Sequence, residues 1–368
     1  MMSFAQWGNA LYAGRKSYGI IKHRTVFVGI ASAVMAVSIV LMATLGFNQS
    51  IEFTGGAQFT VAGVADTKAQ QPAYDALAAE GVAISEVHVS SLGSDSIRVQ
   101  APPMDTGTTA AVRQALGDAY GVDEADVQSN SIGPTWGQDV TKKALQSLVI
   151  FVVLVTVIMT IYFRSWTMSG AAMIALAHDM LLTVAVFAIT RVEVSPATVI
   201  GFLTILAYSL YDTVVVFDKV RELTRGVWDQ KRYTFGEMVN LAVNQTMVRS
   251  INTSVVAVLP VAAILFIGTW LLGSGTLTDI SLALFVGMLA GTYSSIFVAS
   301  PFLVVLEGLR ARTKEHTATV LAARQRATGP DGQTEEGAAV AEVRVAPVVP
   351  GHHLGQSAQP RRKNRRNR

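Results

Sequence analysis

Apolar residues in this chain fall into long unbroken runs instead of the short alternations of a soluble domain. The first covers 25–47, and five more cover 144–163, 168–190, 195–217, 248–272 and 278–306. About 20 apolar residues in helical form cross a hydrocarbon core, so the pattern predicts six membrane-spanning helices. Between the first and second runs lies a polar stretch of domain size, 48–143, with a different rhythm. Strand-like alternation over 57–64 is followed by a helical pattern over 70–80. Two strands then flank Gly93 at 84–92 and 96–100, before a helix at 108–120 and a last strand at 126–132. The order βαββαβ predicts a ferredoxin-like α+β domain.

Composition sharpens this picture. With 51% hydrophobic and only 15% charged residues, the chain is too apolar for an ordinary soluble protein. The first run is too long for the core of a signal peptide and reads as an uncleaved span. Residues 1–25 hold Arg15, Lys16, Lys22 and Arg24 and no acid, which keeps the N-terminus in the cytoplasm. Twelve acids against five bases place 48–143 outside the cell. The basic turn Arg164-Ser165-Trp166 and the loop 218–249, with six bases, four acids and an amphipathic helix near 235–243, fall inside.

The expected organisation is therefore a cytoplasmic segment 1–24, a span 25–47, an extracytoplasmic domain 48–143, five spans within 144–306 and a basic cytoplasmic tail 307–368. From Thr328 that tail is rich in Gly, Pro, Ala and Gln, and is expected to be largely disordered. Six Lys or Arg in 361–368 suit contact with membrane lipids or ribosomal RNA by charge alone, without sequence-specific nucleic-acid recognition. A solvated tail that only helps topology fits equally well.

Zero cysteines exclude disulfides and thiolate chemistry. No phosphate-binding G-x-x-x-x-G-K-[ST] or G-x-G-x-x-G occurs. The sequence thus calls for no cofactor, metal or catalytic residue, and energy must come from an ion gradient or a partner.

The chemistry lies in polar residues within the apolar runs. Asp212 sits in the fourth, on the same helical face as Gly201, Tyr208 and Ser209. A charge at a helix centre costs about 2.5–3.5 kcal/mol by insertion scales, so an acid there reads as functional, with helix packing as the bland alternative. In the fifth run Arg249, Asn252 and Thr253 share a face, and Arg249 is expected to meet Asp212 across neighbouring helices. Helix motion that moved a guanidinium toward or away from this acid would release or capture a proton. Asp212 is thus the candidate proton carrier and Arg249 its modulator, with interfacial anchoring as the other reading of Arg249. His178-Asp179, in the third run, is either a second relay or a packed pair. Gly287, Gly291, Ser295 and Ala299 form a ridge for close helix approach, and Pro260 offers a hinge.

These groups occur within stretches similar to the SecF family, the smaller partner in the bacterial SecD–SecF complex of the protein-export machinery. Ile51-Glu52-Phe53-Thr54-Gly55-Gly56 resembles the family's element after span one, and Ser131-Ile132-Gly133-Pro134 the segment before span two. Ala177-His178-Asp179, Tyr208-Ser209-Leu210-Tyr211-Asp212-Thr213, Arg249-Ser250-Ile251-Asn252-Thr253-Ser254 and Gly291-Thr292-Tyr293-Ser294-Ser295 resemble the signatures of spans three to six. Tyr211 stands where many relatives have Asn.

The resemblance covers about 20–310. It implies half of a resistance-nodulation-division-type unit in the cytoplasmic membrane, completed by SecD. It also implies use of the proton-motive force to draw unfolded preproteins outward alongside SecYEG, SecA and YajC. In the family, the acid at Asp212 and the arginine at Arg249 are associated with proton movement. Two rivals stay in view: a solute or lipid exporter of the same superfamily, and an intramembrane aspartyl protease using Asp212 and Asp179. The latter needs two carboxylates sharing one proton.

Overall fold

The computed structural model describes residues 4–93, 95–268 and 275–327. A short helix α1 (Phe4–Tyr12) precedes the first long one, α2 (Arg24–Leu45). Next come β1 (Asn48–Gln49), a single helical turn α3 (Ile51–Thr54) and β2 (Gly56–Ala62). The soluble domain continues with α4 (Gln71–Ala79), β3 (His88–Leu92), β4 (Ser96–Ala101), α5 (Thr106–Tyr120) and β5 (Val127–Ile132). Its sheet is antiparallel throughout, in the order β3-β4-β2-β5.

Alternation along β2 turns Ala57, Phe59 and Val61 to one face, where they pack with Leu77, Ile97, Val99, Val112, Leu116 and Val127. Asp105 caps α5 by accepting from the Thr108 amide at 2.9 Å. The stretch 84–92, expected as one strand, divides. Residues Ile84–Glu86 form a 3-10 turn, so only its second part pairs.

The remaining helices are α6 (Pro134–Phe163), α7 (Trp166–Thr190), α8 (Pro196–Thr224) and α9 (Phe235–Ile267), with β6 (Glu193–Val194) between α7 and α8. Then come α10 (Gly275–Ser294), a π-helical segment Ser295–Ala299, α11 (Ser300–Gly308) and α12 (Ala311–Ala327). Among the described residues, six helical stretches are long and apolar enough to span a membrane: Ile21–Leu45, Pro134–Phe163, Trp166–Thr190, Pro196–Asp229, Phe235–Ile267 and Leu277–Gly308. The chain is a multi-pass membrane protein. Val149, Ile150, Val153, Leu154, Val157 and Ile161 of α6 stay exposed, which suits contact with acyl chains or another apolar surface.

Two expectations need revision. The loop expected over 218–249 is mostly helix. Helix α8 runs on to Thr224, and the amphipathic segment near 235–243 is the start of α9 itself. A Thr234–Glu237 capping box begins α9, and the helix continues through Pro260. The tail begins with α12 (Ala311–Ala327), ahead of the stretch from Thr328 that is expected to be disordered. Its remainder, including the basic cluster 361–368, lies outside the described residues.

Candidate functional site within the helix bundle

Helix α8 is fixed at its start by Ser195, whose hydroxyl accepts from the Thr198 amide at 3.2 Å, with Pro196 in the first turn. From there its small and polar face turns into the bundle. Gly201, Ser209 and Asp212 are buried, and Tyr208 is partly so. Asp212 is only 4% exposed. Its carboxylate accepts from Ser250 Oγ of α9 at 2.7 Å and from Ser295 Oγ, the first residue of the π segment.

A second buried carboxylate lies close by in the network. Asp179 of α7 accepts from Ser209 Oγ at 2.5 Å and Ser294 Oγ at 2.6 Å, and lies 3.1 Å from His178 Nδ1. Among the described residues, His178 Nε2 is buried without a hydrogen-bond partner. Tyr208 donates to Ser254 Oγ at 3.2 Å, adding another tie between α8 and α9. Each carboxylate has its own serines, and among the described residues the two acids do not bond to each other. An aspartyl-protease dyad would need that contact.

A hydroxyl can donate to a carboxylate and accept from a carboxylic acid. The serine shell can therefore satisfy Asp212 in either protonation state with only hydroxyl rotation. No ion pair fixes its charge among the described residues. Such an acid, inside a span and held by three helical segments, can hold or pass a proton.

Arg249 does not meet Asp212. It is exposed, and among the described residues it makes no ion pair or hydrogen bond with the carboxylate. Arg249, Asn252 and Thr253 do share a face, as their spacing requires. That face lines a cavity of about 830 Å³ with Asp218, Lys219 and Glu222. The α9 face toward Asp212 is offset by one residue and carries Ser250 and Ser254. A 100° step per residue separates these two faces, so a face chosen by its charge pointed away from the acid. Tyr211, the departure from the family pattern, is 55% exposed and turned away from the Asp212 network.

The ridge on α10 packs against α8. A Cβ on Gly287 would lie 2.3 Å from Ile205 Cγ2, and one on Gly291 would lie 2.9 Å from Ser209 Cβ. These close approaches bring Ser294 and Ser295 within reach of the acids.

Residues 112–308 match the model for the protein export membrane protein SecD/SecF C-terminal region, and 40–62 match the SecD/SecF GG motif. The chain belongs to the SecD/SecF family. It is 42% identical over 344 residues to the protein translocase subunit SecF of Streptomyces coelicolor, covering 92% of this chain and 90% of that one. The SecF subunit of Mycobacterium tuberculosis H37Rv is 39% identical, with 84% and 72% covered. A crystal structure of SecDF from Thermus thermophilus, described as translocon-associated, superposes with a TM-score of 0.71 at 27% identity. The match covers 81% of this chain and 39% of that longer one.

Within the SecD/SecF frame, the GG element has a mechanical explanation. Gly55 has φ +75° and Gly56 φ +134°, and a Cβ on either would strike backbone, at Pro134 Cα (2.7 Å) and Ala101 O (2.5 Å). The turn 51–56 thus sits directly on the start of α6. Phe53 O accepts from Thr141 Oγ1 at 3.4 Å, while Thr54 donates its hydroxyl to Gly55 O at 2.9 Å.

The same junction carries a cluster absent from the sequence reading. β1 pairs in parallel with β6, and Glu193 of β6 forms an ion pair with Arg98 of β4 and accepts from Gln100 Nε2 at 2.7 Å. Glu52 and Asp279 line the small cavity beside this pair. Burial, and then repulsion from Glu193, push the Glu52 carboxyl above its ordinary value. Arg98 and Glu193 lie 95 residues apart without motif or periodicity, so only the folded chain joins them.

Proposed function

We propose that this chain is an accessory subunit of the Sec protein translocase. In this reading it works with a SecD-type chain, beside SecYEG, SecA and YajC, and uses the proton-motive force to promote preprotein movement across the cytoplasmic membrane. Family membership and the translocase names of its relatives support the export role. The fused SecDF relative supports a SecD partner and a bundle that is half of a resistance-nodulation-division-type unit. The βαββαβ order and sheet order β3-β4-β2-β5 favour a ferredoxin-like domain, assigned to the outer side with both termini cytoplasmic.

The observation that carries the mechanism is the Asp212 carboxylate, buried between α8, α9 and the π segment with serine hydroxyls as its partners. Loading a proton removes a charge from the place where three helical segments meet, and unloading restores it. A change in protonation therefore changes the preferred helix packing. One proton crossing 100 mV releases about 2.3 kcal/mol from the electrical term, enough to bias such an equilibrium well over tenfold. Arg249 acts as modulator from its cavity, through a conformation in which α9 turns toward α8.

The test is co-purification with SecD, reconstitution into vesicles with the channel and the motor, and comparison of wild type with Asp212→Asn. The variant should assemble normally yet lose proton flux and the gradient-dependent stimulation of export. Unchanged export kinetics at normal abundance would remove Asp212 from the mechanism.

A further inference from the structure

The segment between α1 and the first span is bound to α9. Asn244 accepts from the Tyr18 amide at 2.7 Å and donates to Tyr18 O at 3.0 Å. One helical turn earlier, Asn240 accepts from the Ile21 amide at 3.1 Å and donates to Ser17 Oγ at 3.2 Å. Behind this clamp lies a cavity of about 630 Å³, lined by Arg15, Lys22 and Arg24 on one side and by Glu237 and Asn240 of α9 on the other.

The charges in this cavity do not cancel. Glu237 is engaged, receiving Arg324 Nη1 at 2.8 Å and Nη2 at 2.7 Å, and the Thr234 amide at 2.8 Å. Among the described residues, Arg15, Lys22 and Arg24 have no carboxylate partner. Three cations therefore converge on a space large enough for a small polar group.

The depth of the cavity indicates which anion fits. It opens at the N-terminal ends of two of the six span-length helical stretches, Ile21–Leu45 and Phe235–Ile267. Headgroup phosphodiesters occupy that level of a bilayer, and basic residues there attract them. We propose that this cavity is a binding site for the phosphate of an anionic phospholipid headgroup, held by Arg15, Lys22 and Arg24. Free inorganic phosphate shares the recognising chemistry but not the acyl chains beside α2.

The full chain, purified in neutral detergent, is titrated with dioleoylphosphatidylglycerol, dioleoylphosphatidylcholine or inorganic phosphate, with binding read by native mass spectrometry and thermal shift. Phosphatidylglycerol should bind and raise the unfolding midpoint, while phosphatidylcholine should do neither. Lys22→Gln should weaken binding about fivefold, and Arg15→Gln/Lys22→Gln/Arg24→Gln about a hundredfold. An equal loss of charge from other exposed sites, Arg225→Gln/Lys231→Gln/Lys314→Gln, should leave binding intact. Equal weakening by both triple variants would mean diffuse attraction and overturn the site. Equal binding of phosphatidylcholine would also overturn it. Saturation by millimolar inorganic phosphate with no preference for the lipid would overturn the lipid assignment. Lipid binding is measured without export, so failure here is distinguishable from failure of the proton mechanism.

Discussion

Ser294 and Ser295 are adjacent in the chain but donate to different carboxylates, Ser294 to Asp179 of α7 and Ser295 to Asp212 of α8. Neighbouring helix residues point about 100° apart, so α10 presents one hydroxyl to each acid at the point where its α-helical hydrogen bonding gives way to the π segment. A shift of this helix alters both acids together. Serines serving the same acid should therefore couple, and serines serving different acids should couple less. In a double-mutant cycle on the unfolding free energy, Ser250→Ala and Ser295→Ala are expected to deviate from additivity by about 0.5–3 kcal/mol. Ser250→Ala with Ser294→Ala should come closer to additive. Additivity in the first cycle would mean that the two hydroxyls do not share Asp212.

Arg249 offers a separation of stability from function. It is exposed and not paired with Asp212. Arg249→Gln should leave the unfolding free energy within about 0.5 kcal/mol of wild type, as surface substitutions usually do. Proton-driven export should nevertheless fall sharply. Arg249→Lys keeps the charge but not the planar fork, and should retain part of the activity. Full activity of the glutamine variant in reconstituted vesicles would confine Arg249 to an anchoring role.

The six long helices were legible because membrane hydropathy acts on contiguous sequence, and Asp212 because an acid in an apolar run stands out. The partners of Asp212 were not. Ser250 lies beside Arg249 in a stretch, 249–254, that holds five polar residues, and only the rotation of α9 decides which of them faces α8. Sequence could have prompted Ser250 and Ser254, which are four apart and so share a face, but it ranked charge above small hydroxyls. Arg98 and Glu193 left no trace, since their pairing depends on how the soluble domain rests on the bundle.

The contact between α8 and α10 should be intolerant of added volume. A Cβ at Gly287 would fall inside the van der Waals radius of Ile205, with three side-chain carbons within 2.6 Å. Gly287→Ala is expected to destabilise the bundle by about 1–3 kcal/mol, the usual cost of overpacking. Gly287→Ala/Ile205→Ala should recover much of that loss by returning the space. Thermal unfolding of the two variants checks this; if Ile205→Ala gives no rescue, the clash is not the cause.

The junction of the soluble domain and the bundle should respond to pH through Glu52. Its carboxyl is raised in the folded chain by burial and by Glu193, opposed by the weaker pull of Arg98. A folded-state value above the unfolded one means the folded chain binds the proton more tightly. The favourable contribution is then complete below the ordinary carboxylate range and is lost as pH rises through the elevated value. Protease sensitivity near residues 50–56 should accordingly increase as the solution moves from acid toward neutral pH. Glu52→Gln mimics the protonated form and should flatten that dependence while keeping the resistance seen at low pH. Glu193→Ala provides the contrast. It leaves the largely enclosed Arg98, its side chain 12% exposed, without its partner and should cost up to about 3 kcal/mol at any pH where Glu193 is ionised. If Glu52→Gln kept the wild-type pH profile, another group would have to be titrating at this junction.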